Sequence, residues 1–497
     1  LGNVVQFNDF ALAGTSIGSV TLSSALTHVG AGVFAGCANV EEIAVRAGSS
    51  EYRSVSGVLY NADNEIVAYP SGKVPEGGVL TITADMGVGE GAFAGCTGIS
   101  EVIIEEGITV IGDYAFYDSA VKKVTLPSTV TEIGQYAFAY SDVAEIALPS
   151  TLTEIGQYAF AYSALKSVTV PESVSTMGEY AFAYSMLESA TLQGSYFVTH
   201  MFDGCGQLSQ VTIAEGATSI AAYMFQDCYS LTEISIPESV TNISTYSFAG
   251  SGLKNFVVEE RFEWVGDYAF ANSALESVTI KQDMYTSGMY GKQESKYVFS
   301  GCANLSEVTV AEGVTVIVAS AFENCTALKS VYALGADGVV RGEEGKTTFP
   351  ESLTAIKGNA FKGTGFTIFT LPANVNSLES GAFANCTALK SVVLPETIDD
   401  ISGTLFEGCT ALESVTLPAG VTQIYNGAFN GCTAIREFVI PASIANVVSP
   451  FAGWTAEQTI YIAVSEAETL QWWNANWRDD CNAKIVFEST GPSAAEA

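Results

Sequence analysis

Residues 127–141 read P-S-T-V-T-E-I-G-Q-Y-A-F-A-Y-S, and residues 149–163 repeat them with one change, Val130 becoming Leu152. Degenerate copies lie on both sides, and one position can be followed almost from end to end. It is Phe34, Phe93, Phe116, Phe138, Phe160, Phe182, Phe202, Phe225, Phe248, Phe270, Phe299, Phe322, Phe361, Phe383, Phe406, Phe429 and Phe451, with Leu12 in its place near the start. A fixed period of roughly twenty residues marks a solenoid, in which each unit is one coil that buries its apolar face only against its neighbours. Burying each phenyl ring contributes roughly 1.5–3 kcal/mol, so this column is the spine of the expected core.

Within a coil, apolar residues at the first, fourth and sixth places followed by Pro recur at 165–171, 231–237, 389–395 and 412–418. This is a β-rich run closed by a residue that cannot donate to a ladder. Pro127, Pro149, Pro171, Pro237, Pro350, Pro372, Pro395, Pro418 and Pro441 all stand at this corner. A second short apolar run follows, then often Gly (Gly112, Gly134, Gly156, Gly178, Gly266), read as the φ > 0 residue of a tight bend. The Ala-Phe pair is expected on a single helical turn.

Three residues after the pivot stands either Cys (37, 96, 205, 228, 302, 325, 386, 409, 432) or Ser/Thr, as at Ser141 and Thr364. The next apolar residue comes three places after Cys but two after Ser or Thr, as Leu389 follows Cys386 and Val143 follows Ser141. The longer turn is expected to hold an inward thiol, and the tighter turn to use its hydroxyl to cap backbone donors. One thiol per coil, with no C-x-x-C pair, favours free buried cysteines over bridges or a metal site, because parallel side chains on stacked coils do not point at one another. Cys481 is left unassigned.

Longer steps mark insertions. Gly57 to Pro70 reads as a β-hairpin within an insertion of about residues 46–80, and smaller excesses lie at 281–296 and 334–348. Insertions into a solenoid are expected as loops on one face. Ser465 to Glu468 is a capping box opening a short helix to about Trp477, and Ala483 to Phe487 reads as a last strand. The expected organisation is therefore a solenoid over 1–453, a Trp-rich C-terminal cap over 454–488 and a disordered tail or linker over 489–497.

The 497 residues carry 20 Lys plus Arg against 54 Asp plus Glu, a formal net charge of -34. Nucleic acid and anionic bilayers are poor partners for such a chain, and no apolar run approaches the eighteen or so residues of a membrane helix. The charge also discourages lateral association, so a monomer is expected.

The unit A-F-x-x-C-x-x-L-x-x-V-x-L-P-x-x-V-T-x-I-G, carried by coils such as Ala382 to Pro395 and Pro127 to Phe138, resembles the leucine-rich repeats of the BspA-like, Treponema-type family. The resemblance spans nearly all of residues 10–453 and takes in the Cys, Pro, Gly and Ala-Phe positions together. It implies a β-rich α/β solenoid, a right-handed leucine-rich-repeat coil of 22–23-residue units with a C-terminal cap. It also implies a secreted or surface-anchored protein, some relatives acting as adhesins for matrix proteins. The family has no catalytic residues and no fixed binding motif to carry over.

No enzyme chemistry stands against that expectation. His28 and His200 fall on coil positions held elsewhere by Glu132 and Tyr136, and Gly14-Thr15-Ser16-Ile17-Gly18 matches a nucleophile elbow without the strand-turn-helix it needs. No catalytic residue, metal site or cofactor is expected. Two residues before the pivot stands a row of rings: Tyr114, Tyr136, Tyr158, Tyr180, His200, Tyr223, Tyr246, Tyr268 and Tyr297. Two residues after it stand Tyr140, Tyr162 and Tyr184, and the hairpin adds Tyr60 and Tyr69. Such a ladder suits recognition of an extracellular protein or glycan, and it equally suits sealing the solenoid side by stacking. The functional expectation is a non-catalytic extracellular or cell-surface binding scaffold, with a passive stalk presenting another domain as the alternative.

Overall fold

The computed structural model describes residues 3–288 and 291–491, in two compact units, Leu1–Val240 and Thr241–Ala497. Each unit is a stack of coils, most of them carrying two short parallel strands. In the first unit the strand Ser167–Val170 pairs in register with Ser189–Leu192, and that with Gln210–Ile213. The shorter second strands Val110–Ile111, Glu132–Ile133, Glu154–Ile155 and Thr176–Met177 likewise follow one another one coil at a time. In the second unit Asn255–Val258, Ser277–Ile280, Glu307–Ala311 and Ser330–Leu334 form one such ladder, and Asp400–Ile401, Gln423–Ile424 and Asn446–Val447 another.

The phenyl column is the core of each unit. Phe93, Phe116, Phe138, Phe160 and Phe182 are fully buried and stack at 5.0–5.2 Å. In the second unit the stack runs from Phe248 to Phe451 with spacings of 5.3–6.1 Å. All nine corner prolines open a turn, each carbonyl accepting the N–H three residues on, as Pro149 accepts from Leu152 at 3.0 Å. Proline suits that place because it gives up no ladder bond there.

The Ala-Phe segment is not helical. It consists of three overlapping turns, in which Ala137, Ala139 and Ser141 donate to the carbonyls three residues back (Gly134, Tyr136, Phe138). The alternate N–H groups of Tyr136, Phe138 and Tyr140 donate instead to Gln157, Ala159 and Ala161 of the next coil. The residues two before and two after the pivot take φ near +55°, as in Tyr136 (54°) and Tyr140 (59°). That is the third-residue condition of a type II turn.

The preceding glycines have another reason. Gly134, Gly156, Gly178 and Gly266 do not have positive φ; a Cβ on Gly156 would lie 2.4 Å from the Gln135 nitrogen of the coil below. They are required by close approach of backbone to backbone, and the left-handed conformation falls on the tyrosines.

The thiols point inward. All ten cysteines are free, and the nine in register are buried. Each donates to a carbonyl of the coil before it, as Cys409 to Phe383 O and Cys432 to Phe406 O, both at 3.1 Å. The hydroxyls cap an acceptor and not a donor: Ser141, Ser163 and Ser185 give their protons to the carbonyl of their own coil's pivot at 2.6–2.7 Å. Where a Cys coil follows, the thiol spans the gap to the preceding turn and also meets its hydroxyl, as Cys205 meets Ser185 at 3.4 Å.

The long step between Phe34 and Phe93 contains the hairpin, with Val58–Asn61 antiparallel to Glu65–Ala68. It is not expelled as a loop: Glu65–Ala68 also pairs in parallel with Gly87–Val88 of the following coil. Tyr69 then behaves as a pivot. Its N–H donates to Ala92 O, its ring lies 5.6 Å from Phe93, and Cys96 aims its thiol at the Tyr69 carbonyl. Two further hairpins occupy the other excesses, Tyr285–Gly288 with Gly291–Glu294, and Ala333–Leu334 with Val340–Arg341.

At the C-terminal end the helix covers Glu466–Trp472 with the Ser465–Glu468 capping box formed in both directions. It stops short of Trp477 because Trp473 leaves helical geometry and turns its ring inward, edge-on to Trp477 at 5.1 Å. The last strand, Lys484–Phe487, pairs with Thr459–Ile462. Trp454 belongs to the final coil and not to the cap, standing three residues after Phe451 where other coils place Cys. Of the expected tail, Ser489 is held by a bond from its N–H to Ile462 O, and residues 492–497 lie outside the described residues.

Candidate functional site

The turns fix where the aromatic side chains stand. In the first unit the row two residues before the pivot stacks continuously: Tyr114 on Tyr136 at 5.0 Å, Tyr136 on Tyr158 and Tyr158 on Tyr180 at 4.8 Å, all within 8° of parallel. His200 continues it, its imidazole 4.2 Å from Tyr180 and 4.3 Å from Tyr223. These rings are half-buried. The row after the pivot is more open: Tyr140, Tyr162 and Tyr184 are 47%, 43% and 42% exposed and stack at 4.6 and 4.8 Å.

Three residues outside the expected set complete this face. Tyr117 stands where the neighbouring coils have Ala139, Ala161 and Ala183, and its ring meets Tyr140 edge-on at 5.5 Å, joining the two rows. Phe10 closes the near end. Gly32 and Gly91 occupy its position before the pivots Phe34 and Phe93, and Phe10 lays its ring over Gly32 to reach Tyr114 at 5.4 Å. The interruption by two glycines hides Phe10 from any reading of the row by period.

Asp203 stands at the Tyr184 end of the row after the pivot. It is 2% exposed, its Oδ2 lies 2.8 Å from His200 Nδ1 and 3.4 Å from the Tyr184 hydroxyl, and its Oδ1 has no hydrogen-bond partner. Burial raises the Asp203 pKa above the ordinary carboxylate range, and His200 opposes that rise without cancelling it. Burial and the same carboxylate push the Tyr184 phenol up to about 12. The phenols of Tyr114, Tyr117, Tyr136, Tyr162 and Tyr180 are also raised, by burial first and then by neighbouring phenols and carboxylates.

The remaining expected residues lie elsewhere. Tyr246, Tyr268 and Tyr297 form a row of the same geometry in the second unit, at 4.7 and 4.6 Å. Tyr60 and Tyr69 are only 7% and 5% exposed, Tyr60 beneath the Arg53 guanidinium and Tyr69 in the pivot column. Neither joins an exposed face. Among the described residues no helix is long and apolar enough to cross a membrane.

The family model described as "BspA type Leucine rich repeat region (6 copies)" matches residues 2–60, 86–188, 187–291 and 345–451. No curated protein matches. A solved leucine-rich repeat protein from Bacteroides ovatus is similar over 88% of this chain and 97% of its own, at 21% identity and a TM-score of 0.56. A leucine rich cell surface protein from Faecalibacterium prausnitzii is matched over 86% of this chain and 99% of its own, at 21% identity and a TM-score of 0.35. With the phenyl column, inward thiols and proline corners in place and the model matching well over half of the sequence, the chain belongs to the BspA type leucine-rich repeat family.

Proposed function

We propose that this protein is a non-catalytic binding scaffold of the extracellular or cell-surface kind, and that the double tyrosine row of the first unit is its recognition face. One observation carries the reading: the chain places rings where the backbone would prefer none. A non-Gly residue in the left-handed region costs roughly 1–2 kcal/mol. The same turn position in the second unit is filled at the same φ by Ser320, Asn359, Gly381, Thr404 and Gly427. The turn therefore works without a ring, and nine consecutive coils nevertheless carry Tyr or His. Backbone strain retained beyond the needs of the fold gathers at functional surfaces.

The passive stalk has one observation in its favour, since the half-buried row also covers the turns by stacking. That reading gives no role to Tyr140, Tyr162 and Tyr184, which stay more than two-fifths exposed. The test is adhesion to a panel of immobilised matrix proteins and a glycan array. Wild-type chain should bind saturably to at least one, and Tyr158→Asn with Tyr180→Asn should weaken it. Absence of saturable binding, or binding indifferent to both substitutions, removes the recognition face and leaves the stalk.

A further inference from the structure

We infer that the tyrosine face of the first unit takes a positively charged stretch of polypeptide and not a neutral glycan. The inference rests on that face being the recognition surface. Aromatic recognition of a sugar uses an open ring face, where the negative part of the quadrupole lies. Here the faces are already used, because neighbours within each row stack at 4.6–5.0 Å and within 8° of parallel. What remains on offer is ring edges and a row of phenol hydroxyls repeating at the coil spacing. Those oxygens accept hydrogen bonds from guanidinium and ammonium groups.

Charge selects the same partner. Across the turns 112–120, 134–142, 156–164, 178–186, 198–206 and 221–229 there are six carboxylates (Asp113, Asp118, Asp142, Glu179, Asp203 and Asp227) and no Lys or Arg. Asp118, Asp142 and Glu179 are exposed at the margins of the rows. Lys122, Lys123 and Lys166 stand outside these turns, and Lys123 and Lys166 are each already paired with a carboxylate, Glu101 and Glu188. A surface of one sign with low-dielectric rings between its charges attracts and retains cations of a polypeptide, and repels a second copy of this chain.

The test uses the full chain and a short peptide alternating Arg with small apolar residues, with a Glu-for-Arg peptide and a neutral glycan array as controls. The face variant is Tyr140→Asn, Tyr162→Asn and Tyr184→Asn, since Asn272, Asn324 and Asn385 hold that turn position at the same φ and the net charge is unchanged. The margin variant is Asp118→Asn, Asp142→Asn and Glu179→Gln, and a control set neutralises Glu145, Glu154 and Glu172. The Arg peptide should bind saturably and weaken with salt, losing about tenfold or more in each of the first two variants and staying within about twofold in the control set. Equal loss in the control set would mean diffuse attraction to an acidic protein and overturns the inference. Glycan binding that the face variant abolishes also overturns it while leaving the recognition face standing. No ligand that distinguishes wild type from the face variant overturns both.

Discussion

The indole N–H of Trp454 donates to the carbonyl of Phe429 at 2.9 Å, the bond that Cys432 makes to Phe406 one coil earlier and Cys409 to Phe383 before that. A fully buried Trp thus ends the thiol column by doing the thiol's work with a larger side chain, which also packs on Phe451 at 4.9 Å. Trp454→Phe keeps most of the packing and leaves the carbonyl unpaired, at a cost of about 1–3 kcal/mol. Trp454→Ala adds a cavity and should cost about 3–5 kcal/mol. Urea unfolding followed by a probe in the second unit measures both, and a Trp454→Phe chain as stable as wild type would deny the hydrogen bond its share.

Phe160 stacks between Phe138 and Phe182 at 5.0 and 5.2 Å with no exposure. Phe160→Ala should cost about 3–5 kcal/mol and melt the surrounding coils first, since each coil is held by its neighbours. Tyr162→Asn, two residues away, should cost under about 1 kcal/mol. Hydrogen exchange across the first unit separates the two.

Burial pushes the thiols of Cys96, Cys205 and Cys432 up to about 12. A thiolate-directed reagent at neutral pH should therefore leave these three untouched, since the thiolate is the reacting species, and burial of all nine keeps the rest of the native column out of its reach. Only the partly exposed Cys481 is open to it, and unfolding should release all ten thiols. Rapid native labelling of any column cysteine contradicts their placement.

Asp203 gives a pH dependence of definite sign. Its folded pKa is raised, so the folded chain binds the proton more tightly than the unfolded one. Its contribution is most favourable below the unfolded carboxylate value of about 3.9 and is lost as pH rises through that value to the raised folded pKa. Above this window the ionised group is a net cost that His200 only partly offsets. Asp203→Asn should remove this component, seen as a flatter stability curve as pH rises above about 4 at fixed salt. The groups to be read alongside it are His200, Tyr184 and Asp227.

Much of the fold was legible because single side chains carried its constraints. Phe buries, Pro ends a strand, and the thiol and hydroxyl columns kept separate turn lengths, so the core and the corners followed from spacing. The glycines were misleading because two causes call for the same residue: Gly156 is needed for backbone approach, whereas the left-handed residue is Tyr158. Asn272, Asn324 and Asn385, which favour that conformation, were the available signal. Tyr69 was missed as a pivot because the hairpin before it breaks the count, and Trp454 because the cluster of tryptophans drew it into the cap. The tyrosine rows were readable as rows, but not which part of the ring they present. Asp203 was invisible because its partner His200 looked like a plain member of the row.

The recognition face is tested most directly by a tyrosine nitration footprint, taken on free chain and on chain retained by an immobilised matrix protein or the Arg peptide. The account predicts that Tyr140, Tyr162 and Tyr184 are modified readily in the free chain and protected when bound, while the exposed Tyr229 and Tyr196, outside the rows, react equally in both. Unchanged modification of the three rings in the bound chain would contradict it.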